Sequence, residues 1–553
     1  MATDEASWHG SDGQISQVRG RLFEATCLGA TSIGLVSVLV LLLYVVNDAF
    51  QPLTADSGWL AVYGLTVIVP TALLAIWYYR SDSPAGEVAY IATGLPIVGL
   101  LLAGGLFVVF AEIISITGWF ALALSIGATV ALIYGHARFR PSAVLERMVL
   151  SAVTFVALVL GTPPTFLARA VGLPQRVVSL GELVLKLPYL PIPSLQLFGT
   201  VTLPVAAIAG WFVASRRESR RDGLTAVWLI SAAALAGLAV EYGTGLDAEI
   251  WIVLVTVVAV PIGVYVEGVS RRGDGVAGLA FPVVLVGGVV AGTLLVNAMG
   301  FSGPDVWLDW SFLTSAPNSA PAEAGIYPAL VGSVMLLIVV VLATFPVGVG
   351  AAIYLEEYAP SEGLTGKVVT LIEINIANLA GVPSVVYGLL GLAVFIRFIH
   401  LPSGSIIVGG LTVGLLILPI IIISAQEALD SVPDSLRQAS YGMGATRWQT
   451  TWNVVLPEAM PGIMTGTILG LGRAIGETAP LLLIGIAASV RLAPNSVFDL
   501  GSAMPRQIFA WARKPDEAFL YGVLAAGVVT LLVVLLVMNA TAIIVRNKYQ
   551  RGD

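Results

Sequence analysis

The sequence predicts an all-α polytopic membrane protein with about fourteen transmembrane helices, and three observations carry that expectation. Hydrophobic residues make up 57% of the 553 positions, and the mean hydropathy is +0.92. Charged residues make up only 11%, against about 25% in an ordinary soluble domain that must face water everywhere. The apolar residues also gather into runs of the length that crosses a bilayer, about 20 residues. The 59 Gly and 30 Pro lie inside those runs without a fixed period, which excludes a collagen-like chain and fits packed helices that tolerate them in lipid. A single cysteine, Cys27, excludes an intrachain disulfide and a cysteine metal cage, and is expected on a lipid-facing or packing surface.

Taken in order, the runs lie at 28–46, 59–79, 89–110, 117–135, 148–168, 196–214, 224–242, 249–267, 279–299, 327–355, 373–396, 404–424, 461–487 and 520–545. Residues 1–26 are polar and acidic, and no basic segment or small-residue cleavage site flanks the first run, so no removed signal peptide is expected. Cytoplasmic loops retain the excess of Lys and Arg. With the N-terminus inside, the inner segments up to 275 hold Arg19, Arg21, Arg80, Arg138, Arg140, Arg147, Arg216, Arg217, Arg220, Arg221, Arg271 and Arg272, against Arg169, Arg176 and Lys186 outside. The alternation then places 425–460 inside, 488–519 outside and the tail, with Arg546, Lys548 and Arg551, inside. The Arg216–Arg221 cluster reads first as a topology anchor, with a lipid-headgroup or nucleic-acid patch as the alternative. A net charge of −7 with four Lys among 27 basic residues suits a solvated surface in high salt.

The eight runs up to about 275 keep their polar residues in short loops and carry no motif. From 279 onward Pro, Gly, Ser, Thr, Asn and charged residues enter the apolar runs. Polar groups are costly at that depth and mark pathways, so the chemistry is expected in this second half. No nucleotide-binding P-loop is present; near Gly366 and Lys367, Ser361 stands where the first glycine belongs and Val368 follows. His9, His136 and His400 are dispersed, so no metal site is expected, and no nucleophile or paired-carboxylate constellation suggests catalysis.

Glu427, Asp430, Asp434 and Arg437 keep the 425–460 segment out of the bilayer. Two helix-compatible stretches flank Gly442 and Gly444, the second expected to end at Leu456 and Pro457. Such a hairpin either docks a partner or merely joins two spans. In the 461–487 run, Arg473 and Glu477 are four residues apart, on one helix face. A lone charge at a helix centre costs about 2.5–3.5 kcal/mol on insertion scales, so the pair must face protein or a water-filled path. It either locks two helices or presents a guanidinium to an oxyanion. Pro480 is expected to free carbonyls near Thr478. In NLAGVPSVVYG, Gly381 and Pro383 are expected to loosen a helix in which Ser384 and Tyr387 offer hydroxyls. Trp307 and Trp310 in the outer segment 300–326 are expected as interfacial anchors or as part of a docking loop.

The string QASYGMGATRWQTTWNVVLP resembles the E-A-A-x3-G-x9-I-x-L-P pattern of ABC importer permeases, with Gln438, Ala439, Ser440, Gly444, Val454, Leu456 and Pro457 at the pattern positions. It departs at Gln438, Ser440 and Val454, where the pattern has Glu, Ala and Ile. The resemblance implies that this segment couples to a separate ATPase subunit. LPEAMPGIMTG followed by RAIGETAPLL is similar to phosphate importer permeases of the PstA type, as are GIYPALVGS, FPVGVGAAIYLEEYA, NLAGVPSVVYGLLGLAVF and MPRQIFAWARKPDEAF.

That family resemblance implies a six-helix ABC importer permease core within 276–553, preceded by a polar cytoplasmic terminus (1–26) and an eight-span region (27–275) of unknown role. A stabilising collar, a partner-binding module and a regulatory region are compatible with the latter. The implied partners are an ATPase dimer, a second permease of the PstC type, a phosphate-binding protein outside the cell and membrane lipid, with no nucleic acid and no cofactor. The substrate path is expected at Arg473, Glu477, Thr478 and Ser384. The implied location is the cell membrane with both termini cytoplasmic. Permeation of molybdate or sulfate, or transport driven by an ion gradient, are the alternatives.

Overall fold

The computed structural model describes residues 17–139, 144–161, 178–184, 186, 192–244, 246–360 and 362–550. His9, Arg140, Arg169, Arg176, Ser361 and Arg551 lie outside the described residues, as do the polar residues 1–16 and the end of the expected 148–168 span. The described residues are helical, with one isolated antiparallel bridge between Ser405 and Leu500. The first half contributes α1 (Gln17–Phe50), α2 (Ser57–Ser81), α3 (Ser83–Ala111), α4 (Ile116–Phe139), α5 (Val144–Leu160), α6 (Pro193–Arg217), α7 (Arg220–Ala239) and α8 (Ala248–Arg272). The second half contributes α9 (Val276–Met299), α10 (Tyr327–Tyr358), α11 (Gly363–Ala380), α12 (Ser384–Phe398), α13 (Ile406–Asp430), α14 (Asp434–Gly442), α15 (Arg447–Gly476), α16 (Met504–Trp511) and α17 (Phe519–Thr541). Twelve helices are long and apolar enough to cross a membrane, thirteen with α11 and α12 taken as one bent span. The fourteenth expected crossing is α5, whose 17 helical residues lead into residues outside the described set.

Proline inside a helix leaves a carbonyl without its usual donor, and in a bilayer no water can supply one. At four places this chain meets that constraint with wider turns bonded five residues back. Such turns at Gly64–Ile68, Phe198–Thr202, Leu254–Ala259 and Thr451–Val455 each precede a proline, at Pro70, Pro204, Pro261 and Pro457 respectively. The last case corrects the expectation that the inner hairpin's second helix stops at Leu456 and Pro457. The Leu456 amide bonds the Thr451 carbonyl, and α15 runs on through Pro457 to Gly476.

Two other expected spans are broken. The 373–396 run is not one helix: α11 ends at Ala380, Pro383 caps α12, and the two meet at 106°. The 461–487 run ends at Gly476, because Glu477 is extended, before a one-turn helix at Ala479–Leu483 that begins with Pro480.

The core sits in the second half. The most buried span is α13, with 67% of its apolar window inside the protein, against 0% for α1 and α2. It packs on α10 and α15 through Leu336, Val340, Ile417, Ile421 and Ile463. The first half is knitted to this core rather than hung beside it. Ala49 of α1 is buried against Ala525 and Val529 of α17, and its carbonyl accepts from the Trp307 amide at 3.0 Å. Tyr78 Oη donates to the Ala277 carbonyl at 2.7 Å, and the Ser302 amide to an Asp56 carboxylate oxygen at 2.6 Å. Trp307 lies over Gly522 in a second apolar cluster, whereas Trp310 stays exposed. Cys27 is exposed on α1.

Another close contact is at Gly288 on α9, where an added Cβ would stand 2.2 Å from the Thr66 carbonyl oxygen, while the adjacent Gly287 faces open space. Gly288→Leu is therefore expected to lower stability by about 1–3 kcal/mol through overpacking, with Gly287→Leu near neutral. Thermal unfolding of the purified chain in detergent measures both.

Candidate functional site

Two places combine polar chemistry with the membrane core. The first is where the two broken spans meet. α12 packs along the one-turn helix Ala479–Leu483 so closely that a Cβ on Gly388 would lie 2.9 Å from the Pro480 Cα. Arg473, in the last turn of α15, donates from Nε to Glu477 Oε1 at 3.2 Å. The pair forms as its spacing predicts, but at the end of a helix rather than midway along it. The Arg473 side chain is 45% exposed and Glu477 14%. Their contact uses one of the five guanidinium N–H donors, so the terminal nitrogens keep theirs.

Thr478 is half-buried, its hydroxyl 3.5 Å from the Gly476 carbonyl. Ser384, also half-buried, is the first residue of α12. Tyr387, one turn further, donates its hydroxyl to the Leu379 carbonyl across the break at 2.7 Å and lies within electrostatic reach of Arg473. The tyrosine thus holds the bend between α11 and α12.

The second place is the hairpin α14–α15 between α13 and the membrane span of α15. Gly444 takes φ +85, a left-handed conformation that glycine adopts without strain, and its amide bonds the Tyr441 carbonyl at 2.9 Å. Thr446 and Gln449 then form a reciprocal cap on the start of α15. Ser440 is buried and shares a 2.9 Å hydrogen bond with Thr450, stapling the two arms. Leu456 is buried in the core, while Gln438, Ala439, Gly444 and Pro457 are exposed. Leu436, Ala439 and Met443, spaced three and four residues apart, make an outward stripe on which Met443 is 84% exposed.

Arg437 holds this hairpin in place. Its Nη2 donates to Glu357 Oε1 at 2.9 Å and to the Leu429 carbonyl at 2.8 Å, Nε reaches the same carboxylate at 3.3 Å, and Nη1 donates to the Val432 carbonyl. The two side chains are 15% and 6% exposed. One guanidinium therefore joins the end of α10, the end of α13 and α14. Beside it Trp448 stacks on Trp452 with centroids 5.6 Å apart, and Arg447 lies 5.4 Å over the Tyr358 ring. These roles are not visible in the sequence, since Arg437 and Glu357 are 80 residues apart; the visible hint is a pair of acidic residues, Glu356 and Glu357, closing an apolar run.

On the opposite side of the bundle, α16 buries Trp511 against Phe312, with centroids 5.9 Å apart. Lys514 follows, its ammonium 3.4 Å from the Phe519 ring centroid. Burial lowers its pKa below the ordinary lysine value, opposed by Asp516.

A sequence profile described as "Binding-protein-dependent transport system inner membrane component" matches residues 206–548, more than half of the chain. The chain belongs to this family. The permease is 37% identical over 201 residues to the probable ABC transporter permease protein YqgH of Bacillus subtilis, covering 35% of this chain and 63% of that protein. It is 35% identical over 224 residues to the phosphate transport system permease protein PstA 1 of Mycobacterium tuberculosis, covering 40% and 70%. With the PstA protein of Mycobacterium leprae the identity is 34% over 242 residues, covering 43% and 77%. The permease thus spans just under two thirds of YqgH's length and somewhat more of the two mycobacterial proteins. Among solved structures, the inward-facing methionine ABC transporter MetNI aligns with a TM-score of 0.33 at 17% identity, over 41% of this chain and 95% of that one.

Removing one partner of a buried ion pair strands the other, at a cost of about 3–5 kcal/mol, whereas replacing both is far milder. Glu357→Leu is expected to lower stability on that scale and to raise amide hydrogen exchange in the 431–446 segment. Glu357→Leu/Arg437→Met is expected to recover part of the loss, and the comparison separates the ion pair from the carbonyl caps that Arg437 also provides.

Proposed function

We propose that this permease carries inorganic phosphate across the cell membrane as one membrane subunit of an ATP-driven importer. The observation that carries the reading is Arg473, a half-exposed guanidinium with free donors where two spans of an apolar bundle break side by side. Planar guanidinium groups bind tetrahedral oxyanions through paired hydrogen bonds, and irregular backbone at membrane depth belongs where it lines a cavity. Glu477 orients the guanidinium from its Nε edge and limits how tightly an anion is held. Thr478 and Ser384 supply hydroxyls at the same two breaks. The relatives named as phosphate permeases support phosphate as the cargo over molybdate or sulfate.

Coupling follows from the continuity of α15. Its exposed start lies beside the hairpin, and Arg473 lies 26 residues further on the same helix, roughly 40 Å at 1.5 Å per residue. A partner ATPase dimer that seats the Leu436–Ala439–Met443 stripe and shifts the hairpin would move a rod whose far end holds the anion. Such a change requires the partner to bind the two states unequally. A second permease of the PstC type would complete the pore, and a phosphate-binding protein would deliver at the outer side. This reading puts both termini in the cytoplasm, and the arginine asymmetry of the sequence supports it.

Two charge-assisted hydrogen bonds at about 1.5–3 kcal/mol each predict a more than roughly hundredfold loss of phosphate uptake in Arg473→Gln, with the complex still assembled. Uptake of labelled phosphate into vesicles containing the whole importer measures this, and undiminished transport overturns the assignment. Competition by molybdate or sulfate at equal strength would overturn phosphate selectivity. Met443→Asp is expected to weaken co-purification of the ATPase while leaving the permease folded.

A further inference from the structure

A cavity of about 850 Å³ lies between α6 and α8, in the half of the chain to which the transport reading assigns no chemistry. Its walls are apolar over most of their length, with Val205, Ile208, Phe212, Val260 and Val264 among them. One end is different: Arg216, Arg271 and Arg272 close it. Arg271 is neutralised, because it shares Glu267 with Arg217 at 3.2 and 2.6 Å. Arg216 and Arg272 have no ion-pair partner among the described residues: Arg216 stacks over the Phe212 ring at 4.1 Å, and Arg272 donates only to the Gly268 carbonyl at 3.4 Å. Tyr265 also lines the cavity, and its hydroxyl is shielded from solvent without a hydrogen-bond partner.

We propose that this cavity is a binding site for one anionic two-chain phospholipid of the inner leaflet. The charge pattern selects the occupant. An apolar trough within the membrane fits a hydrocarbon tail, and two unneutralised guanidinium groups at its mouth fit a phosphodiester. The Tyr265 hydroxyl at their boundary can donate to an ester or phosphate oxygen. Basic pockets between spans on the cytoplasmic side select anionic headgroups in this way. The arginine asymmetry of the sequence puts this end of α6 and α8 on that side. Ile208 and Trp211 remain largely exposed along α6, which leaves the trough open laterally to the bilayer.

The test is native mass spectrometry of the full chain in detergent, titrated in turn with phosphatidylglycerol and phosphatidylcholine. One phosphatidylglycerol is expected to stay bound where phosphatidylcholine does not. Arg216→Ala/Arg272→Ala is expected to weaken retention by roughly tenfold or more, and Val264→Trp, which fills the trough and keeps every charge, to abolish it. Arg220→Ala/Arg221→Ala, in the same basic cluster but outside the cavity lining, is expected to bind normally. Equal binding of the two lipids, equal loss in the Arg220/Arg221 variant, or full retention in Val264→Trp overturns the proposal. Displacement of the lipid by inorganic phosphate alone would make the site a simple anion site and overturn it as well.

Discussion

A bilayer offers no water to a backbone amide, so every N–H and C=O of a spanning segment must be satisfied inside the protein. Most of this chain's architecture follows from that constraint acting on a sequence with 30 prolines. Where a proline follows a wide turn, the helix continues, and four spans survive in this way. At Gly381–Pro383 and at Glu477–Pro480 the helix instead stops and restarts. The two breaks pack against one another. Each offsets part of the other's cost, because irregular backbone is tolerated at membrane depth only when covered by protein or facing a cavity. Arg473 and Glu477 sit at that junction because it is where a charge costs least.

The same economy governs the inner face. Arg437 takes up the carbonyl oxygens that the end of α13 leaves open and at once engages Glu357 at the end of α10. One side chain thus orients a hairpin whose outer stripe is apolar and whose inner arm becomes α15. The proposed docking stripe on this hairpin and the proposed anion site at Arg473 are linked by α15, which starts beside the first and ends at the second. The first half of the chain is fastened to this core by small-residue contacts and hydrogen bonds between α1 and α17 and between α2 and α9.

Much of this was legible in the residues. Hydropathy located, among the described residues, twelve helices long and apolar enough to cross a membrane, and a thirteenth if the bent pair α11–α12 counts as one span. The spacing of Arg473 and Glu477 predicted their pairing because a helix turn places the fourth residue alongside the first. Gly442 and Gly444 marked the turn between two helical stretches, and the structure gives Gly444 the left-handed conformation there. Local pattern failed where two residue types competed. Pro457 read as a stop yet is passed by a wide turn, and Gly381 with Pro383 read as loosening one helix yet separate two that meet at 106°.

The sequence by itself determined that this is a polytopic helical membrane protein, where its apolar runs lie, and which residues carry charge into the apolar half. Those properties depend on composition and short-range periodicity, which a chain has before it folds. Only the tertiary structure decided that the two helix breaks adjoin, that Arg437 reaches Glu357 across 80 residues, and that Arg216 and Arg272, without an ion-pair partner among the described residues, close one end of an apolar trough. Those are pairings between distant segments, set by which faces pack once every backbone group must find its partner within the protein.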